Sequence, residues 1–196
     1  MGRKKQGTVR IIAGHWRGRR LPVPDLPGLR PSGDRSRETL FNWLAPLIRG
    51  RRCADLFAGT GVLGLEAVSR GAESAVLVEK SAAAARSIRE NLEMLKTAQE
   101  GRRVEVVHGD ALAWLESCDH QSLDLVFIDP PFDSGLETRV LAVLAEGECL
   151  AEDAIVYLET ARDPGGSASG QHWETMKEKV VGDVQMRLLR KKQNKL

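Results

Sequence analysis

Apolar residues recur along this chain in two alternating rhythms. Short apolar runs fall at residues 53–57, 74–78, 104–108, 123–128 and 154–159. Between them lie stretches at 62–70, 81–96, 111–116 and 135–146, whose apolar positions are spaced three and four apart. Continuous short runs predict strands covered on both faces, and the longer period predicts helices packed on them. Strand and helix in strict alternation predict an α/β, Rossmann-like sheet with mostly parallel strands. Two further runs, 173–181 and 184–189, flank Gly182-Asp183, a turn tight enough for an antiparallel pair. The expected sheet therefore has seven strands and ends in an antiparallel hairpin.

Residues 9–24 read as a small hairpin of their own, with Gly14 and Gly18 able to supply a turn's positive φ. Pro22, Pro24, Pro27 and Pro31 then keep the chain extended. A helix should follow Ser32 or Asp34, burying Leu40, Phe41, Leu44, Leu47 and Ile48 and stopping before Gly50. The expected division is a hairpin extension over residues 1–33 and a main domain over 34–196. Residues 163–171, rich in Gly and Ser, read as a loop.

Composition narrows the classes open to such a fold. Hydrophobic residues make up 42% of the 196, which suits a packed core. No apolar run approaches the roughly 18 residues that span a bilayer. The start, Met1-Gly2-Arg3-Lys4-Lys5-Gln6, lacks a signal peptide's apolar stretch, and Gln6 breaks the myristoylation pattern. Cys53, Cys118 and Cys149 are odd in number, far apart and without a C-x-x-C, which argues for a reducing cytoplasm and against a zinc site. No metal ligand set is expected.

The net charge of +2 conceals a division. Residues 1–52 hold 13 Lys/Arg against 3 Asp/Glu, residues 53–186 hold 11 against 24, and residues 187–196 hold 5 against none. A basic front on an acidic body points to a polyanion docked at one place. The basic positions run on through Arg10, Arg17, Arg19, Arg20, Arg30, Arg35 and Arg37, interleaved with apolar ones, as in nucleic-acid-binding surfaces. Trp16 could stack on a base or cover the hairpin's apolar face. Arg37 and Glu38 could equally be plain helix surface.

The loop after the first main strand reads Asp55-Leu56-Phe57-Ala58-Gly59-Thr60-Gly61-Val62-Leu63-Gly64. Its G-x-G-x-x-G lets backbone approach a ligand at Gly59 and Gly61 and lets helix pack on strand at Gly64. Glu79 closes the second strand, where it could accept from ribose hydroxyls, with Lys80 beside it. Dinucleotides and S-adenosylmethionine share that much. Asp55 separates them: a carboxylate at the strand end repels a pyrophosphate and attracts a methionine ammonium. Asp110, with Ala111 after it, is placed to accept from an adenine amino group or to cap the helix that follows. These acids together favour S-adenosylmethionine, with Phe57, Ala58 and Thr60 completing the loop.

Asp129-Pro130-Pro131-Phe132 follows the fourth strand. The prolines end the ladder and leave an acid and an aromatic on a rigid turn. Such a turn suits methylation of an exocyclic amino nitrogen, whose conjugated lone pair is a poor nucleophile. The Asp129 carboxylate and Pro130 carbonyl would accept from the amino group and aim it, while Phe132 stacks on the base. The turn alone allows guanine N2 or adenine N6.

Taken together, Arg30-Pro31-Ser32, Arg37-Glu38-Thr39-Leu40-Phe41-Asn42-Trp43-Leu44, Asp55 to Gly61, Leu65-Glu66-Ala67-Val68-Ser69-Arg70-Gly71-Ala72 and the Asp129 turn resemble the bacterial 16S ribosomal RNA guanine-N2 methyltransferases. The resemblance covers nearly the whole chain. It departs at Ser32, where the family usually has Thr, and at Thr60, where Ser is common; both keep a hydroxyl. It implies a class I S-adenosylmethionine-dependent fold and transfer to guanine N2 of 16S RNA in an assembled or assembling small subunit, by a monomer. The residues themselves leave three alternatives: an adenine-N6 methyltransferase, an NAD(P) oxidoreductase and a non-catalytic RNA-binding protein.

Overall fold

The computed structural model describes residues 7–26, 33–96, 101, 103–132, 134–162 and 171–193. β1 (Gly7–Arg10) and β2 (Arg20–Val23) pair antiparallel as a two-stranded sheet, and α1 (Asp34–Leu44) follows. The main sheet comprises β3 (Arg52–Asp55), β4 (Ser74–Glu79), β5 (Arg103–His108), β6 (Leu123–Ile128), β7 (Leu150–Ala161), β8 (Trp173–Val181) and β9 (Val184–Lys191). The intervening helices are α2 (Val62–Ser69), α3 (Ala82–Leu95), α4 (Ala111–Glu116) and α5 (Leu136–Glu146).

Strand order is β5-β4-β3-β6-β7-β9-β8, parallel as far as β7 and antiparallel beyond it. This is the seven-stranded sheet with a closing hairpin that the sequence pattern predicts. The chain steps outward from β3 to β5 and then returns to β6 on the other side of β3. That reversal opens a crevice at the carboxyl ends of β3 and β6, where doubly wound sheets bind ligands.

Each sheet face has its own core. Leu65 of α2, Ile88 of α3 and Phe41 of α1 pack with Phe127 and Tyr157 on one face. Leu115 of α4 and Val140 and Leu144 of α5 pack with Val126, Val156 and Ile128 on the other. The hairpin does not stand apart: Val9, Ile11, Trp16, Leu21 and Val23 belong to the first of these clusters.

Two element boundaries differ from the sequence expectation by more than two residues. The periodicity through Leu47 and Ile48 predicts a longer α1, but α1 ends at Leu44, two residues before Pro46, which cannot donate to the helix. β7 starts at Leu150 rather than at 154, because the pairing with β6 slips between Leu123 and Leu125. Glu152 and Asp153 lie in the slipped stretch and are exposed, so the apolar pattern shows only the regular half.

Candidate functional site

After Asp55 the chain turns through Gly59 and Gly61, both in the left-handed region at φ 55° and 75°. A Cβ at Gly64 would lie 2.1 Å from Leu77 Cδ2, so glycine there is what lets α2 lie this close to β4. The loop is pinned from below. Glu79 Oε2 accepts from Gly59 N at 2.7 Å and its Oε1 from Ser81 N at 2.6 Å. Ala58 N donates to Val78 O, and Ala58 and Thr60 are buried, while Phe57 is half-buried. Glu79 therefore shapes the glycine loop itself; each of its oxygens keeps a second lone pair for a ligand.

Asp55 is 1% exposed. Its Oδ2 accepts from Gly64 N at 3.3 Å, whereas Oδ1 is buried with no hydrogen-bond partner. Burial foremost, then the charges of Asp129 and Glu79, push its carboxyl up to about 7 against the pull of the Gly64 N–H. An orphaned acceptor in so dry a place calls for a donor, and a cationic amino group is the partner that would also restore its charge. The donor set thus fits the methionine end of S-adenosylmethionine.

Asp110 caps α4, accepting with Oδ1 from Leu112 N at 3.0 Å and Ala113 N at 3.4 Å. Its Oδ2 meets Lys80 Nζ at 3.3 Å on the surface, and Ala111 behind it is buried. The Ala113 N–H foremost holds the carboxyl below the usual range. Helix capping occupies Oδ1, and Oδ2, beside Lys80, keeps a second lone pair that could accept from an adenine amino group.

β6 ends at Ile128, which registers with Leu158 of β7. The next residue on each strand is an acid, Asp129 and Glu159. Asp129 is half-buried, Pro130 is buried, Pro131 is exposed, and Phe132 is 52% exposed, a large aromatic open to solvent. Glu159 is 6% exposed and accepts from the Tyr157 hydroxyl at 2.5 Å. Burial, and then Asp129, push its carboxyl up to about 7. Burial likewise pushes the Tyr157 phenol well above its ordinary value. The Tyr157 ring packs edge-on to Phe127 at 6.3 Å, and Phe127 packs on Phe41 at 6.2 Å. Sequence reasoning missed Tyr157 and Glu159. Their signal is a tyrosine and an acid two apart, hence on one face, in the strand that follows the Asp129 turn.

Around the hairpin, Arg10, Arg17, Arg19, Arg20 and Arg35 are exposed. Two residues expected beside them as RNA contacts are not. Trp16 is 2% exposed and Arg37 is 1% exposed. Trp16 fills the hairpin's apolar side, and Arg37 donates to Arg10 O at 2.9 Å and pairs with Asp34. Neither presents a surface to a nucleic acid, because folding spends both on docking the hairpin. Arg30 lies outside the described residues.

The centre of that docking is Glu66, fully buried on α2 and missed by sequence reasoning. Its carboxylate accepts from Ile12 N at 2.8 Å, Ala13 N at 2.9 Å and Arg70 Nε at 2.8 Å, with Arg37 Nη1 at 3.6 Å. Arg70 also lies 4.8 Å over the Phe41 ring. Ser69 completes the seam, bonding Trp16 N and Ala13 O through its hydroxyl and His15 N through its carbonyl. Gly14 is required here: its φ is +82°, and a Cβ would fall 2.0 Å from Ser69 O.

No group of three or more His, Cys, Asp or Glu able to hold a metal occurs among the described residues. No described helix is long and apolar enough to cross a membrane.

A family model described as conserved hypothetical protein 95 matches residues 9–190. The chain is 45% identical over 184 residues to ribosomal RNA small subunit methyltransferase D of Escherichia coli K12, covering 93% of this chain and 89% of the relative. It is 43% identical over 184 residues to the protein of the same name in Haemophilus influenzae, covering 93% and 94%. The solved structure of yhhF from Escherichia coli, described as a methyltransferase, superposes with a TM-score of 0.84 at 42% identity, over 94% of this chain and 98% of that one.

Proposed function

The chain belongs to the family of ribosomal RNA small subunit methyltransferases D, and from that footing we propose that it methylates guanine N2 in 16S ribosomal RNA. S-adenosylmethionine, when bound, supplies a methyl group made electrophilic by its sulfonium. Asp55 Oδ1 receives the ammonium, the Gly59–Gly61 turn admits the body of the cofactor, and Glu79 and Asp110 take the ribose and adenine.

Across the crevice, Asp129 carries the chemistry. Its carboxylate and the Pro130 carbonyl accept from the two amino hydrogens, which leaves the nitrogen lone pair aimed at the methyl. As the nitrogen gains positive charge, the Asp129 carboxylate stabilises it. Phe132 stacks on the base, which leaves its neighbours to reach the turn. The observation that carries this reading is the pairing of an orphaned, buried Asp55 oxygen with an acid-Pro-Pro-Phe turn one strand away.

RNA is held at a distance from the target base. The hairpin loop docks on the Ser69 end of α2, whereas the cofactor loop lies at its Gly61 end, about 12 Å away at 1.5 Å per residue. Arg17 and Arg19 on that loop would therefore grip phosphates flanking the target. Such a spread suits a folded substrate, the assembled or assembling small subunit, met in the cytoplasm by one copy of the enzyme.

Radiolabelled methyl transfer to unmethylated small subunits, naked 16S RNA and DNA, followed by nucleoside mapping, tests this. N2-methylguanosine from subunits is expected. N6-methyladenosine as the product would overturn the choice of base, and tighter calorimetric binding of NADH than of S-adenosylmethionine would overturn the methyltransferase reading.

A further inference from the structure

Cys118 and Cys149 are far apart in sequence, yet the fold brings both to the lining of one cavity. Cys118 follows α4, and Cys149 immediately precedes β7. The two segments are zipped by Gln121 N to Glu148 O at 2.7 Å and Leu123 N to Cys149 O at 3.0 Å. Gln121 holds a left-handed φ of 48° to make that turn. Both cysteines line one cavity of about 260 Å³, with Leu115 and Val143 as its apolar wall.

The two sulfurs are not equivalent. Cys118 is half-buried and within 3.2 Å of the Ser122 hydroxyl, whereas Cys149 is buried and Cys53 lies elsewhere in the core. The hydrogen bond with Cys149, then that with Ser122, draws the Cys118 thiol down to about 6. The same bond with Cys118 foremost pushes Cys149 up, and burial pushes Cys53 up. Glu116, Glu148 and Asp119 face the pair as acids and His120 and Lys191 as bases. A half-buried, low-lying thiolate backed by a buried partner is the arrangement of a reactive and a resolving cysteine.

We propose that Cys118 and Cys149 form a redox-active thiol pair, a modification site for low-molecular-weight disulfides that is separate from the methyl-transfer crevice. The Cys118 thiolate attacks one sulfur of the small disulfide, forming a mixed disulfide and expelling one small thiolate. Cys149 then gives up its proton and attacks Cys118 Sγ, and the second small thiol leaves. The pair is oxidised by two electrons, and the small disulfide is reduced to two thiols. The acidic rim of Glu116 and Glu148 favours uncharged or cationic disulfides over anionic ones.

The full-length reduced protein is incubated with hydroxyethyl disulfide, quenched with acid, digested without reductant and mapped by mass spectrometry. A linked Cys118–Cys149 peptide lacking two hydrogens is expected, with Cys53 unmodified. Cys149→Ser should trap the mixed disulfide on Cys118. The initial rate should rise less than about twofold between pH 7 and pH 8.5, where an ordinary thiol gains roughly fifteenfold from its thiolate fraction. The wild-type map needs no variant to fold. A persistent mixed disulfide in the wild type, faster reaction at Cys53, or more than one alkylatable thiol after denaturation would each overturn the pairing.

Discussion

Asp55 and Asp129 both close strands at the same crevice, but they face opposite demands. Asp129 is half-buried and, on the proposed function, accepts from the target amino group, so its loss should strike turnover alone. Asp129→Ala is expected to lower kcat by about a hundredfold to a thousandfold while calorimetry shows S-adenosylmethionine affinity largely intact. A large loss of cofactor binding would mean that the turn does a different job. Asp55 is buried with an unpartnered oxygen, so its charge is unwelcome until a cation arrives. Its carboxyl stands at about 7 in the fold, against an ordinary value near 4 in the unfolded chain. Between those limits the native state holds a proton that the unfolded chain has released. Its contribution to stability is therefore full below about pH 4, declines as pH rises, and levels off above about 7. Asp55→Asn removes that decline and keeps an acceptor for Gly64 N. Thermal melts should show the variant gaining on wild type from pH 5 to pH 8, each tenfold step in proton affinity being worth about 1.4 kcal/mol. Cofactor binding should respond the other way. Wild-type affinity should rise with pH up to about 7, because the ionised carboxylate meets the ammonium, and the Asn variant should bind weakly throughout. A melting difference that does not change with pH would mean that Asp55 is ionised in the unliganded protein.

Among the elements, α2 serves two sites with its two ends. Gly61 and Gly64 at its start shape the glycine loop, and Glu66 and Ser69 farther on receive the hairpin. Removing the Glu66 carboxylate would strand two backbone N–H groups and leave Arg37 and Arg70 without their buried counter-charge. Glu66→Ala should therefore destabilise the protein by about 3–5 kcal/mol, read from denaturant midpoints. Limited proteolysis should then cut within residues 7–26. Equal protection in variant and wild type would show that apolar contacts alone hold the hairpin. This seam also marks how far the sequence could be read. The strand and helix alternation, the glycine loop and the Asp129 turn are local patterns, each legible within ten or so residues, and the sheet follows from them. Glu66 in an apolar helix and Arg37 in a basic stretch carry no local sign that they will meet. Their partners lie 27 to 54 positions away, so only the packed structure reveals a buried carboxylate serving loop and helix at once. The same holds for Glu159, whose neighbour Asp129 comes from the adjacent strand. For β7, the slipped register hid a strand start that regular alternation would have exposed.

Over the whole molecule, charge is divided between a basic front and an acidic body, and this division gives the RNA reading its most direct test. Residues 53–186 carry 24 acidic side chains against 11 basic ones, so a polyanion is repelled from most of the surface. On the proposed function it is received where the hairpin arginines stand, and Trp16 and Arg37 are too buried to help. Attraction of this kind releases counterions from the nucleic acid, and each phosphate neutralised steepens the dependence of affinity on salt. Arg17, Arg19 and Arg20 are exposed, lie outside the Glu66 seam and can be changed together without unseating the hairpin. For Arg17→Ala/Arg19→Ala/Arg20→Ala, the slope of log affinity against log salt should become shallower by about 2 to 3, at roughly 0.7 for each single-strand phosphate contact and 0.9 for each duplex one. Cofactor affinity should not change, since none of the three approaches the crevice at Gly61. With subunits in excess, kcat should stay within about twofold of wild type, because phosphate contacts position the RNA without entering the methyl-transfer step. KM for subunits should rise, and more so at low salt, where those contacts contribute most. Binding measured across a salt series on wild type and variant decides the matter. Parallel slopes would make the hairpin arginines an ordinary solvated face and move the RNA-binding surface elsewhere.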